Sequence, residues 1–308
     1  MKILTSLAEN SYFFGLAALL NSVVKHGTYV DKVIVGYRGA LPSWLPLLED
    51  SAMGKSCKLK SGLLVEFIEM RSDSHMVHEK PRWLKLVVDV LAPGASEYFF
   101  FDADIIVLNR MSFFGEWVKN GISLCEDMYD MSSNHPIRKQ WAALASENGL
   151  HVNKHPDRYY NSGFLAWSKI NSEFINEWVS CFNIMKEKVG NVKIYRVYDD
   201  RTYPVMSANQ DSLNLAAMIT KQPLSTIGPA AMGFQYGTYL MAHPVQNKPW
   251  DKRFIVEFLL GIPPRTSDLQ FWQNVNGPEL SPLSAFKVNY KIKLCKMLKF
   301  FGRFYARR

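Results

Sequence analysis

At 308 residues, 48% hydrophobic, 13% aromatic and 21% charged, the chain is long enough for one large core. It is too apolar and too varied for a disordered, collagenous or solenoid protein. Its 36 Lys and Arg exceed its 28 acids by eight. All eight are accounted for by Lys287, Lys291, Lys293, Lys296, Lys299, Arg303, Arg307 and Arg308, so residues 1–286 are neutral and a basic nucleic-acid groove across the body is not expected.

Cys57, Cys125, Cys181 and Cys295 are widely separated and have no zinc spacing, which suits reduced thiols in a cytosolic compartment. The chain opens on a strand-like Lys2–Leu7 with no charged lead and long apolar region. Its first long apolar stretch, Tyr12–Val24, contains Asn21 and falls short of the ~20 residues that span a bilayer. Secretion and a transmembrane anchor are therefore not expected.

Short apolar runs at Ile3-Leu4, Val33–Val35, Leu64–Ile68 and Tyr98–Phe101 recur at intervals close to a βαβ unit. They read as strands buried on both faces of a mainly parallel sheet flanked by helices. Between them, the period predicts a helix over Tyr12–Lys25, stopped by Gly27, and another over Pro81–Leu91, ended by Pro93-Gly94. Later, Ile122–Cys125 and Phe164–Trp167 read as strands, and Ser172–Val189 and Gln210–Ile219 as helices. Residues 190–208 and 261–284, the latter with Pro263, Pro264, Pro278 and Pro282, read as loops.

The strongest local signal is Phe99-Phe100-Phe101-Asp102-Ala103-Asp104-Ile105-Ile106-Val107. Strand alternation would put Asp102 and Asp104 on one side, facing the crevice where parallel sheets bind ligands. Two carboxylates there repel unless a divalent cation lies between them, and hard oxygen ligands suit Mg²⁺ or Mn²⁺ held jointly with nucleotide phosphates. A polar strand end is the plain alternative. Tyr160-Asn161-Ser162-Gly163-Phe164, Asn209-Gln210-Asp211-Ser212 and His243-Pro244-Val245-Gln246-Asn247-Lys248-Pro249-Trp250 follow in that order.

In this order of motifs the sequence, over roughly residues 1–250, resembles the retaining sugar-nucleotide transferases of glycosyltransferase family 8, which include glycogenin and bacterial lipooligosaccharide galactosyltransferases. The resemblance implies an α/β chain of GT-A (Rossmann-like) fold, with residues 1–260 as the catalytic, nucleotide-sugar-binding domain. It makes Asp102, Asp104 and His243 ligands of Mn²⁺ or Mg²⁺, and Lys248 the cation that neutralises the departing diphosphate. Gln210 would lie near the anomeric carbon, with Asp211 gripping sugar hydroxyls. Asn161, Ser162, Gly163 and Asn209 would surround the donor, as would Ala103, Pro249 and Trp250. Asp127 matches a further sugar-contacting acid, Glu9 and Tyr12 align with positions that hold the nucleobase, and Lys85 replaces a family arginine.

The chain departs from this pattern in two places. The family's glycine between histidine and lysine is absent and the interval is one residue shorter, while Glu9 stands where aspartate is usual. Competing motifs fail. Gly54-Lys55-Ser56 has Glu49 where a phosphate loop needs glycine, and Leu7–Ser11 lacks the glycines and cations of a nucleotidylyltransferase. His75 and His78 are candidates for touching an acceptor.

Residues 261–308 read as a proline-containing linker and a basic amphipathic helical tail. In the tail Phe286, Tyr290, Leu294, Met297, Leu298, Phe301, Phe304 and Tyr305 make one apolar face. That face fits either an anionic membrane surface, through residues 286–308, or the catalytic body. The expected function is transfer of a hexose from a nucleotide sugar, with UDP the default, to a glycan or glycolipid hydroxyl, with retention. Surface polysaccharide or lipopolysaccharide synthesis on the cytoplasmic face of the membrane is the implied setting, without nucleic acid. A non-catalytic sugar-nucleotide-binding protein is the alternative of a different class.

Overall fold

The computed structural model describes residues 1–196, 202–237 and 239–304. Strand β1 (Lys2–Glu9) runs into helix α1 (Tyr12–Lys25), which stops at Gly27 because only a residue tolerant of φ 87° continues the chain there. The elements β2 (Lys32–Arg38), β3 (Glu49–Asp50), β4 (Lys55–Lys58), β5 (Leu64–Glu69), α2 (Lys80–Leu86) and β6 (Glu97–Phe101) complete the first half. A single wide helical turn, Val87–Leu91, extends α2.

Next come β7 (Ile106–Val107), α3 (Met111–Trp117), β8 (Ile122–Glu126), α4 (Pro136–Glu147), β9 (Tyr160–Ser168), α5 (Glu173–Val189), α6 (Ala208–Ile219), β10 (Leu224–Ile227) and β11 (Met241–Ala242). The chain ends on α7 (Phe254–Leu259), α8 (Thr266–Asn274) and α9 (Ala285–Phe301). The main sheet has the order β10-β8-β9-β6-β1-β2-β5-β4-β3. Its centre, β5-β2-β1-β6, is parallel, and β9 enters antiparallel between β6 and β8.

Alternation along each strand feeds two cores. Tyr98 and Phe100 of β6 turn toward the layer holding Trp83, Trp141 and Trp178, from α2, α4 and α5. Phe99 and Phe101 turn toward α1 and Phe114 of α3. This two-sided burial explains the apolar runs of β2 and β6, whereas β5, expected to be buried on both faces, alternates, with Leu64 exposed and Glu66 half-buried. All four cysteines are free and buried, and burial pushes the Cys57 thiol up to about 11.

A third core joins the C-terminal helices to the body through Ala18, Ile106, Phe254, Phe271, Trp272, Val288, Leu294 and Leu298. Asn21, polar within an apolar helix, locks this arrangement. Its Nδ2 donates to the carbonyls of Asn274 and Leu280, each at 2.9 Å, and its Oδ1 accepts from Leu280 N at 3.0 Å.

The structure departs from two expectations in the C-terminal region. Residues 261–284 are not all loop: α8 follows the Pro263-Pro264 pair, started by Asp268, whose Oδ2 accepts from Arg265 N at 2.8 Å and whose Oδ1 lies 2.8 Å from Lys252 Nζ. The tail's apolar residues do not form one face. Val288, Leu294, Cys295 and Leu298 of α9 are buried, whereas Phe286, Tyr290, Met297, Phe301 and Phe304 are exposed. Tyr305, Arg307 and Arg308 lie outside the described residues. Among the described residues, no helix is long and apolar enough to cross a membrane.

Candidate functional site

Strand β6 ends at Phe101, and Asp102-Ala103-Asp104 forms a turn rather than a strand continuation. Asp102 N donates to Gly163 O at 2.7 Å, and Ile105 N donates to Asp102 O at 2.9 Å. The two carboxylates therefore converge through a turn, not through strand alternation as the pattern suggested. Beneath the turn, α1 packs so closely that a Cβ on Gly15 would lie 2.8 Å from Ala103 O. Beyond it, β7 pairs antiparallel with β11, Ile106 opposite Ala242, and this pairing delivers His243 beside the acids.

His243 Nε2 lies 3.5 Å from Asp104 Oδ1 and 3.8 Å from Asp102 Oδ2. One ligand atom from each of Asp102, Asp104 and His243 falls within 4.8 Å of the other two. Two carboxylates and an imidazole converging from separate elements suit Mn²⁺ or Mg²⁺ with positions left for phosphate oxygens. The ring reaches them because Gly163 has no side chain: a Cβ there would lie 2.5 Å from His243 Cε1. These residues therefore fit a divalent ion.

Two lysines balance the acids. Lys80 Nζ lies 2.7 Å from Asp102 Oδ1 and donates to Ser162 O at 3.1 Å. Lys248 Nζ lies 2.5 Å from Asp104 Oδ2 and donates to Pro244 O at 3.0 Å. Asp104 is only 2% exposed. Burial works to raise its pKa, but Lys248 and His243 beside it hold the carboxyl well below the usual carboxylate range. Burial likewise opposes the Lys248 charge, yet Asp104 and Tyr12 carry its pKa above the ordinary lysine value. Both groups are charged at neutral pH.

The cluster floors a cavity of about 390 Å³, within the range of small-molecule sites. Glu9, Tyr12, Ala103, Asn161, Ser162, Gly163, Gln210 and Lys248 line it as expected from the sequence. Arg38 holds Glu9 at 3.2 Å. Tyr12 meets Trp250 edge-on at 5.6 Å, so Trp250 backs the wall, with Phe271 behind it at 5.1 Å and Pro249 buried alongside. Burial raises the Tyr12 hydroxyl, with Lys248 working against it.

Asp127 stands one step back, where its Oδ2 accepts from Asn161 Nδ2 at 2.6 Å and from Gln210 Nε2 at 3.1 Å. That fixes the Gln210 amide, whose Oε1 accepts from Ser162 N at 3.2 Å. Asn209 is buried behind Ser162 and donates to its Oγ at 2.8 Å.

Six expected residues do not line the cavity: Asp127, Asn209, Pro249 and Trp250 stand behind its wall, and Asp211 and Lys85 lie away from it. Asp211 is fully buried and accepts from Tyr159 Oη at 2.6 Å and from Met206 N at 2.7 Å, so it organises the start of α6 rather than facing a sugar. Lys85 points to Asp89 and Asn176, each 2.7 Å away, on another face. Five residues of helix turn by ~140°, so of Lys80 and Lys85 only one can face the crevice. Lys80, at the first position of α2, is the one that does, and the proline after it was the sequence signal that a helix begins there. His75 and Tyr195 also line the cavity, whereas His78 bonds to Ile194 O at 2.9 Å.

No protein-family model matches the chain, and no curated protein matches its sequence. Solved structures do match. A structure of the galactosyltransferase LgtC, in complex with donor and acceptor sugar analogs, is similar at TM-score 0.56 and 12% identity, over 94% of this chain and 99% of that one. The glycosyltransferase GlyE of Streptococcus pneumoniae TIGR4 is similar at TM-score 0.51 and 12% identity, over 96% of this chain but 64% of GlyE. At such identity the likeness is one of architecture: the chain has the GT-A-type α/β fold found in these glycosyltransferases.

Proposed function

We propose that the chain is a metal-dependent glycosyltransferase. It moves a hexose from a nucleoside diphosphate sugar, with UDP as the nucleotide, to a hydroxyl of a glycan or glycolipid with retention of anomeric configuration. The observation that carries this reading is the convergence of Asp102, Asp104 and His243 with Lys80 and Lys248 on the floor of the cavity. The GT-A-type fold supports it, since the same crevice at the ends of parallel strands binds ligands in open α/β sheets.

A bound Mn²⁺ or Mg²⁺ supplies Lewis-acid neutralisation of the diphosphate. Asp102, Asp104 and His243 are the residues that would hold it. Lys248, kept charged by Asp104, sits on the cavity wall where negative charge grows as the bond between sugar and phosphate breaks, so its stabilisation strengthens along the reaction. Lys80 fixes the orientation of Asp102. Gln210, its amide set by Asp127 and Ser162, faces the sugar side, while Glu9 and Tyr12 receive the base. The acceptor is met at the cytoplasmic face of a membrane, reached through residues 286–308, in surface polysaccharide or lipopolysaccharide synthesis.

The test is calorimetric UDP binding with and without Mn²⁺, alongside donor-hydrolysis assays with UDP-glucose, UDP-galactose and their N-acetyl forms. Asp102→Asn and Asp104→Asn should each lower Mn²⁺-dependent UDP affinity by at least about 10- to 100-fold, the loss typical of a disturbed metal shell. Unchanged metal-dependent affinity in both variants overturns the site. Tight binding with no turnover of any donor favours the non-catalytic binding protein.

A further inference from the structure

Helix α9 carries two apolar faces. Val288, Leu294, Cys295 and Leu298 face the body. Phe286, Tyr290, Met297 and Phe301, with Phe304 just beyond the helix, recur at steps of three, four and seven on an outward flank that adjoins buried Leu294. They are exposed, Phe286 by 83%.

Helix α7 repeats the arrangement on a smaller scale. Phe254 and Phe258 turn inward, with Lys291 Nζ of α9 lying 5.1 Å from the Phe254 ring centre. Ile255, Val256, Leu259 and Leu260 turn outward, the last two 71% and 73% exposed, and exposed Ile262 follows. The two helices meet at Gly302, where an added Cβ would lie 2.6 Å from Pro263 Cβ and 4.0 Å from the Phe258 ring. Leu259, Leu260 and Ile262 thus flank the same seam as Phe301 and Phe304.

We propose that α7 and the outer stripe of α9 form one platform that docks the chain on an anionic bilayer surface. This rests on the membrane reading above and adds residues 254–262 to it. Exposed apolar side chains gathered on two helices that meet at Gly302 call for a covering partner. The charge around it selects that partner. Lys287, Lys293, Lys296 and Arg303 of the tail and Arg253 and Arg265 beside α7 are exposed, and residues 285–304 contain no acid. Glu257 of α7 is half-buried, and Asp251 precedes the helix. A second copy would set this cationic surface against itself. Exposed aromatics among lysines and arginines are the composition of an interfacial helix on anionic lipid.

The placement has a consequence for the acceptor. The chain that carries Lys248 on the cavity wall passes Trp250 and enters α7 at Phe254, so the cavity lip and the platform are one continuous segment. A glycolipid anchored in the bilayer presents its headgroup beside the cavity, and docking removes one dimension of the search.

The experiment is sedimentation of the full chain with phosphatidylcholine vesicles containing about 30% phosphatidylglycerol, against pure phosphatidylcholine vesicles, across a salt series. Wild type should bind the anionic vesicles, less as salt screens the cations, with a salt-resistant remainder from the apolar faces. Leu259→Glu/Leu260→Glu should lower vesicle partitioning by about tenfold or more, comparably to Phe286→Glu/Phe304→Glu, with donor hydrolysis and thermal melting unchanged. Unaltered partitioning of the α7 variant beside loss in the α9 variant overturns the platform and leaves the tail alone as the anchor. No binding by wild type overturns both the platform and the membrane reading, without touching the transferase reading, which donor hydrolysis reports separately. A dimer in equilibrium sedimentation that Leu259→Glu/Leu260→Glu dissociates also overturns the platform, in favour of a second copy of the chain.

Discussion

Substituting Gly163 by alanine separates the metal-binding geometry from every charge in the site. The new Cβ would stand 2.5 Å from His243 Cε1, 2.9 Å from His243 Nδ1 and 2.8 Å from Asn161 Oδ1. Ordinary contact begins at 3.4 Å, so the ring must retreat by about 0.9 Å, against the ~0.2 Å tolerance of a metal–ligand distance. Retreat is constrained, because His243 is buried, held by its N–H to Met232 O at 3.0 Å, and faced by Phe234 with ring centres 5.8 Å apart. Overpacking of this kind costs ~1–3 kcal/mol of stability. Losing a well-placed imidazole should weaken metal binding by at least about 10- to 100-fold. Mn²⁺ affinity measured by electron paramagnetic resonance in the presence of UDP, together with thermal melting, checks both effects. Mn²⁺ affinity within about twofold of wild type, in a variant that still melts cooperatively, would refute the argument that His243 completes the metal shell through Gly163.

If Lys248 acts as proposed, Lys248→Ala should lower kcat more than it raises KM for donor hydrolysis; a raised KM with unchanged kcat would mean that it binds only the ground state. Truncation before Lys287 removes Val288, Leu294 and Leu298 from the third core, about 5 to 9 kcal/mol of apolar burial as an upper bound. The truncated chain should melt at least ~10 °C lower or aggregate, and an unchanged melting temperature would refute the packing of α9. Burial holds His78 below the ordinary imidazole value, although its bond to Ile194 O works the other way. The unfolded chain takes up a proton near pH ~6.5 while the folded one does not, so stability is full above that pH and falls as pH drops toward the folded value. His78→Gln should flatten the loss of melting temperature between pH 7 and 5, and an equally steep loss in the variant would discount this histidine.

The sequence by itself determined the centre of the fold. Strands such as Val33–Val35 and Phe99–Phe101 are buried on both faces, so their apolar runs are local, and α1 carries its own stop signal in Gly27. It also carried the Asp102 and Asp104 pair as a local signal, and the order of motifs that resembles family 8 pointed to His243, which the fold brings within ligand distance of both. Short strands were not legible: β4 and β11 are four and two residues long and exist through their pairing partners. Helix α4 did carry a signal, with Ile137, Trp141, Leu144 and Ala145 buried at helical spacing behind Pro136.

What only the tertiary structure decided is which way each side chain faces. Lys80 and Lys85 share one helix, and its packing against α5 sends the first to Asp102 and the second to the opposite surface. Gln210 and Asp211 are adjacent, yet the helix turns one toward the cavity and the other inward to Tyr159. The tail is the clearest case. A single helical pattern of apolar residues admitted one face, but contact with Phe254, Phe271 and Trp272 divided it into a buried and an exposed one. Periodicity fixes the angle between residues on a helix; only the neighbouring elements fix which angle points to the core.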